Sequence, residues 1–210
     1  MSSLTPFWAE KAGNMKFVLA SNNGGKLREM KEILGDLGIE VLSQREAGLC
    51  IEAEENGSTF SENAMIKAAA ACDALGLPAI ADDSGLCVDA LGGEPGIYSA
   101  RYGGDGVDDK GRYRLLLKNM EGKSDRGARF VCAIACVMPG GDVIDAWGQC
   151  EGEILCAPRG DGGFGYDPVF YVPEYGRSMA ELTMEEKNAV SHRGRALREF
   201  KTKLEKYLGD

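Results

Sequence analysis

The chain has 210 residues, 44% of them hydrophobic, which is enough to fill a sizeable core in one large domain or one domain with two lobes. Its 33 acidic against 24 basic residues give a formal net charge of -9, which argues against a general binder of nucleic-acid polymers or anionic membranes. With this negative balance any phosphate site must be local or bridged by a divalent cation, and no apolar run is long enough to span a bilayer.

Residues 1–14 carry Pro6 and Trp8 but no apolar secretory core, and they read as an extension of unknown order, with Met15 an alternative start. The seven cysteines are odd in number and show no C-x-x-C spacing. They read as reduced thiols of a cytoplasmic protein. His192 is the single histidine, which excludes a His-rich zinc or iron centre and leaves a hard, oxygen-liganded cation such as magnesium.

In chain order, Lys16–Ala20 reads as a short buried strand, and Ser21, Asn22, Asn23, Gly24 and Gly25 form a dense turn signal. From Lys26 the period becomes helical, with Leu27, Met30, Leu34 and Leu37 on one face and Gly38 as the stop. A strand-to-helix loop of this kind presents backbone N–H groups and the positive end of a helix dipole to an anion. An ordinary helix entry is the alternative, because neither the Walker A nor the dinucleotide-loop spacing is present.

A second strand is predicted near Ile39–Leu42, followed by an acidic, polar stretch with Glu52, Glu54, Glu55 and Gly57. Thr59 and Glu62 have capping-box spacing, and an alanine-rich helix should run to about Leu75, where Gly76 and Pro78 end it. Lys67 lies on this helix, either solvated or as a phosphate contact. Next comes AIADDSGLCVD, an apolar run that ends in Asp82 and Asp83 before a Ser84-Gly85 turn. Paired acids at the end of a buried strand call for a cation, while a surface Asp-Asp turn is the alternative.

Leu91–Gly106 holds six glycines in sixteen residues and reads as a long shaped loop, with Tyr98 and Tyr102 speaking against disorder. Asp108 or Asp109 should cap a helix to about Met120. Arg129–Met138 should pair as a hairpin with Val143–Gly148, continuing through Gly152–Leu155. In the stretch Gly160–Pro168, Phe164, Gly165, Tyr166 and Asp167 suit close approach to a flat ligand, or else a glycine-rich turn whose rings enter the core. Thr183 and Glu186 form another capping box, with Lys187 in that helix. Ser191, His192, Arg193 and Gly194 interrupt or restart it, and a last helix carries Leu197, Phe200, Leu204 and Leu208.

Five stretches in order, SNNGGKLRE, EENGSTFSENAMIKA, ADDSGLCVDALGGEPGIYSARY, GGFGYDPVF and EEKNAVSHRGRAL, resemble those of the inosine triphosphate pyrophosphatase family over nearly all of the chain from Met15. The resemblance implies an α/β fold: a long curved mixed β-sheet flanked by helices, in two lobes with a substrate cleft between them, usually as a homodimer. It implies magnesium-dependent cleavage of ITP, dITP or XTP to the monophosphate and pyrophosphate. Carried over, Ser21–Lys26 would bind triphosphate with Lys26 and Lys67 neutralising it, and Glu54 and Asp83 would hold magnesium. Asp83 would also position or deprotonate water, Asp82 would support it and Ser84 would contact substrate. Phe164, Gly165, Tyr166, Asp167, Lys187, His192 and Arg193 would surround base and sugar. Rivals are the septum-inhibitor-type nucleotide pyrophosphatase, whose first loop fits less well, and a non-catalytic nucleotide sensor. Ser84 with His192 does not make a serine hydrolase, because Asp82 stands where G-x-S-x-G needs glycine.

Overall fold

Lys16–Leu19 forms β1, which pairs in parallel with β2, Glu40–Ser43, on one side and with β3, Ala79–Val88, on the other. The computed structural model describes residues 15–51 and 53–209; the extension 1–14 and Glu52 lie outside them. Helix α1, Gly24–Gly35, connects β1 to β2, and α2, Phe60–Leu75, connects β2 to β3. The chain passes from β1 out to β2 and then back past β1 to β3, so right-handed crossovers, the rule for parallel strands, set α1 and α2 on opposite faces.

The sheet continues through β4, Gly127–Val137, β5, Val143–Ile154, β6, Phe170–Val172, and β7, Arg177–Ser178, in the order β2-β1-β3-β4-β5-β6-β7. Strands β5, β6 and β7 pair antiparallel, so the seven-stranded open sheet is mixed and flanked by helices, the class expected from the sequence. The remaining helices are α3, Asp109–Asn119, α4, Met184–Val190, and α5, His192–Gly209. Among the described residues no helix is long and apolar enough to cross a membrane.

The chain divides into two compact units. Of the described residues, the first comprises those through Asp83, Ala133–Trp147 and those from Ala196 onward; the second comprises Ser84–Cys132 and Gly148–Arg195. The first unit buries Phe17, Val18 and Leu19 of β1, Ala64 and Ala68 of α2, and Phe200 and Leu204 of α5. The second is built on Leu86, Val88, Leu116, Phe130, Ile154, Val169 and Phe170.

Several local expectations change. Helix α1 starts two residues early because the Asn23 side chain caps it, accepting from the N–H groups of Gly25 (2.9 Å) and Lys26 (3.1 Å). The box at Thr59 is half made: Thr59 Oγ1 accepts from Glu62 N, but the Glu62 carboxylate reaches past it to Ser58. The box at Thr183 and Glu186 is complete.

The turn predicted at Ser84-Gly85 is absent. β3 runs straight through it, and Leu86 N just beyond is held by the buried Ser99 hydroxyl at 2.8 Å. β1 pairs only as far as Ile80, so it is β4 on the other side and the Ser99 hydroxyl that override the local turn chemistry. The long loop at 91–106 is entered by a 3₁₀ turn, Asp89–Leu91, and has a second 3₁₀ segment, Gly96–Arg101, in its middle, and all six of its glycines have positive φ. Helix α4 ends at Ser191 and α5 restarts at His192; Gly194 permits this close corner, since a Cβ there would meet Asn188 O at 2.1 Å.

Candidate active site

In the first unit the two adjacent acids of β3 part company. Consecutive strand residues point to opposite faces of the sheet, and the two helices lie on opposite faces. Asp82, 5% exposed, meets Lys26 from the first turn of α1, Nζ to Oδ1 2.8 Å. Asp83 meets Lys67 from α2, Nζ to Oδ1 3.0 Å. Lys67 also reaches Glu55 Oε1 at 2.8 Å, so one ammonium bridges two carboxylates.

Glu55, and not the exposed Glu54, is therefore the member of the acidic stretch brought to Asp83. A second residue that sequence reasoning missed is Asn63, fully buried one helical turn before Lys67. It receives Gly57 N on its Oδ1 (2.9 Å) and points its Nδ2 at Asp83 Oδ2 (3.4 Å), tying the acidic stretch to the strand. The signal was available: Asn63 shares the helical face of Phe60, Ala64 and Ala71, and a polar residue on an apolar face needs a partner.

Burial is the main reason that the Asp83 carboxyl titrates above the usual carboxylate range. Lys67 opposes this, Glu55 adds to it and the Asn63 contact lowers it. For Lys67, burial acts to strip the proton, but the charges and hydrogen bonds of Asp83 and Glu55 outweigh it, so the ammonium is held above its ordinary value. The cluster thus keeps a firmly charged lysine beside a carboxylate that ionises reluctantly.

The start of α1 offers an anion less backbone than the sequence suggested. Two N–H groups of its first turn, those of Gly25 and Lys26, are taken by Asn23, and Asn23 N donates to Ser21 Oγ at 3.1 Å. Lys26 and the helix dipole remain. Asn22 and Gly24 are exposed and Ser21 is half-buried.

In the second unit the residues of the glycine-rich loop separate by burial. Phe164 is 56% exposed, with Lys187 Nζ 4.6 Å and Arg193 Cζ 5.8 Å from its ring centroid, so two cations attend one open ring. Tyr166 is buried; its hydroxyl donates to Ser99 O at 2.8 Å, and burial pushes its phenol well above the ordinary value. Asp167, 3% exposed, accepts on Oδ2 both Phe164 N at 2.8 Å and Lys187 Nζ at 2.5 Å. Gly163 has φ +73° and lies so near Asp167 that a Cβ would fall 2.1 Å from Oδ2. Gly165 N donates to Asp109 Oδ2 at 2.8 Å. His192 is buried and stacks on Phe130 at 4.9 Å, and Ser84 is half-buried on β3.

The structure thus gathers Lys26, Lys67, Asp82, Asp83 and Glu55 in one unit. In the other it gathers Phe164, Asp167, Lys187 and Arg193, while Tyr166 and His192 line the core. Among the described residues no group of three or more Asp, Glu, His or Cys side chains is placed to hold a metal. Glu55 and Asp83 are nevertheless hard oxygen donors at a site where burial already disfavours uncompensated negative charge. Magnesium is commonly held by one or two carboxylates with phosphate oxygens and water completing its shell, so these residues fit it.

The model of the Ham1 family matches residues 17–203. The dITP/XTP pyrophosphatase of Desulfotalea psychrophila is 53% identical over 184 residues, covering 88% of this chain and 82% of that protein. A dITP/XTP pyrophosphatase of Thermus thermophilus is 53% identical over 186 residues, covering 88% and 89%. Among solved structures, a HAM1 protein from Coxiella burnetii is 47% identical with a TM-score of 0.87, and the Staphylococcus aureus Ham1 protein is 44% identical with a TM-score of 0.86. Each of these covers 91% of this chain and 99% of its own. With the family model matching residues 17–203 and these relatives about half identical over most of both chains, the chain belongs to the Ham1 family.

Proposed function

We propose that this protein hydrolyses the non-standard purine nucleoside triphosphates ITP, dITP and XTP to the monophosphate and pyrophosphate, and so clears them from the nucleotide pool. The observation that carries the reading is the Glu55–Lys67–Asp83 array and the Lys26–Asp82 pair, built on adjacent residues of β3, in a chain about half identical to proteins named dITP/XTP pyrophosphatase. Cleavage of a phosphoanhydride needs charge neutralisation and placement more than covalent help. Two lysines set by three carboxylates supply both.

Lys26 and Lys67 take phosphate oxygens, with Ser21, Asn22, Asn23, Gly24 and Gly25 shaping the turn around them. Asp82 holds Lys26 in place. Glu55 and Asp83 would hold magnesium, which moves the ligand assignment from Glu54 to its neighbour. When bound, the ion would supply Lewis-acid neutralisation of the phosphate oxygens. Asp83 orients the attacking water and accepts its proton at Oδ2, the oxygen whose contact to Asn63 is a long 3.4 Å. Its raised carboxyl is suited to that task.

Phe164 stacks on the base, and Lys187 and Arg193 present donors to it. A 6-oxo purine offers an acceptor where adenine carries an amino group, so donors here disfavour ATP. Asp167 fixes this group, Gly165 and Tyr166 set the loop around it, Ser84 contacts the nucleotide, and His192, buried against Phe130, supports the site from the core instead of touching substrate as the sequence suggested. The acidic surface suits a soluble substrate rather than a nucleic-acid polymer. The reading includes a cytoplasmic homodimer.

The test is a panel of ITP, dITP, XTP, GTP and ATP with magnesium, with pyrophosphate and orthophosphate detected separately. Pyrophosphate release fastest from the 6-oxo, non-standard nucleotides is expected. Orthophosphate alone, or no turnover with retained binding as a nucleotide sensor would give, sinks the proposal. Preference for nucleotides outside this set turns it to the septum-inhibitor type.

A further inference from the structure

The tip that presents Phe164 is packed through Gly163 on one side and from Tyr166 on the other, and thinly at Phe164 and Gly165. Gly160 and Gly162 lie against Ala180, where a Cβ on either would fall within 3 Å of its backbone, and Tyr166 enters the core. Between them, a cavity of about 530 Å³ runs along the loop, with Asp109, Lys110 and Tyr113 of α3 among its walls. Gly165 adopts φ +60° and has open space around its Cβ position. Where packing is thin, hydrogen bonds decide where a segment sits.

Two consecutive amides carry those bonds. Phe164 N donates to Asp167, three residues on, which shapes the turn from within. Gly165 N donates at 2.8 Å to Asp109 Oδ2, on a different element 56 residues earlier, which anchors the turn from outside. Asp109 is itself oriented, because its Oδ1 accepts from Arg112 Nη1 at 2.6 Å one turn along. Helix α3 is a firm base for it: Asp108 caps its first turn at Gly111 N, and Tyr113 and Leu116 are buried in the core of the unit.

We infer that Asp109 is a positioning residue that sets the place of the Phe164 ring and thereby the base selectivity of the purine site, an inference that rests on the function proposed above. Its carboxylate touches no base. It acts through the Gly165 amide, and loss of that bond lets the ring move across the cavity while leaving the lysine and carboxylate cluster of the first unit unaltered.

The experiment compares Asp109→Ala and Asp109→Asn with the wild type in the full chain. Hydrogen exchange is followed in a peptide containing Gly165, steady-state kinetics are measured with ITP and ATP, and inhibition is measured with magnesium tripolyphosphate, a probe with the phosphates but no base. In Asp109→Ala, exchange at Gly165 accelerates, KM for ITP rises about fivefold, the worth of one modest hydrogen bond, and kcat stays within about twofold. The ITP-to-ATP ratio of kcat/KM narrows and tripolyphosphate inhibition is unchanged. Asp109→Asn, which keeps an acceptor oxygen, restores most of the KM and the exchange protection. Faster exchange with unchanged KM and base ratio overturns the inference, as does equal weakening of ITP and tripolyphosphate. A wild type that turns over no nucleotide overturns the proposed function and the selectivity role with it, whereas normal wild-type turnover with an indifferent Asp109→Ala overturns the positioning role alone.

Discussion

Removing the Asp167 carboxylate tests whether the glycine-rich loop is held by one buried acceptor. Asp167 is 3% exposed and its Oδ2 receives two donors, the Phe164 amide and the Lys187 ammonium, whose side chain is 16% exposed. Asp167→Ala leaves both without this acceptor in a place that water barely reaches. Removing one partner of a buried ion pair costs about 3–5 kcal/mol, and partial exposure of Lys187 sets the value at the lower end, about 3 kcal/mol. For a chain of this length that lowers Tm by roughly 9 °C. Asp167→Asn keeps an acceptor for the Phe164 amide and loses only the charge, so about half of that loss is expected. In a double-mutant cycle with Lys187→Met, the double variant is more stable than the sum of the singles predicts by about 2 kcal/mol, because the methionine has no charge to satisfy. Urea denaturation at pH 7, with m-values compared between variants, measures all four corners. A coupling energy below about 0.5 kcal/mol would refute the reasoning, since the pair would then be two independent surface groups.

Two further outcomes separate the acids of the first unit. Asp83→Asn should lower kcat for ITP by about 10³-fold, the loss expected when a ligand and proton acceptor go together. The folded state raises this carboxyl, so ionised Asp83 disfavours folding as pH rises above the unfolded carboxylate range; the asparagine variant, compared in chelator at pH 7, should have a Tm at or above that of the wild type. A near-normal rate, or a large fall in Tm, contradicts this assignment. Glu55→Gln should raise the magnesium concentration for half-maximal rate about tenfold, whereas Glu54→Gln should shift it less than twofold; a reversed pattern in a magnesium titration returns the ligand role to Glu54.

Much of this architecture is legible because periodicity and capping chemistry are local. The helical face of Met30 and Leu34, the box at Thr183 and the restart at His192 each depend on residues within a turn or two. What was illegible depends on distant partners. Ser84-Gly85 carries a turn signal, and it is β4 and Ser99, both distant in sequence, that keep it extended. Glu54 and Glu55 sit in a stretch with no period, so nothing local sets a phase for choosing between them; Lys67, 12 residues later, makes the choice. Phe164 and Tyr166 look equivalent as aromatics in a glycine run, and it is Ser99, 67 residues away, that draws the tyrosine inward. Asp109 reads as a helix-start acid, and its bond to Gly165 spans a separation that no motif records.

The Asp82-Asp83 pair shows how local and distant rules combine. Side by side in sequence, the two acids suggested one cation between them. In a strand, neighbouring side chains face opposite ways, so one ion cannot be gripped by both in the manner of a loop chelate. The return of the chain from β2 past β1 to β3 puts α1 on one face and α2 on the other, and each helix brings a single lysine to the acid on its own side. Only the acid facing α2 can join Glu55, because Glu55 is held to that face by Lys67 and, through Gly57 and Asn63, by the start of the same helix. The inequality of the two aspartates, one paired with Lys26 and the other with Lys67 in company with Glu55, is thus a consequence of topology: exchanging their partners would require the acidic stretch to cross to the other face of the sheet.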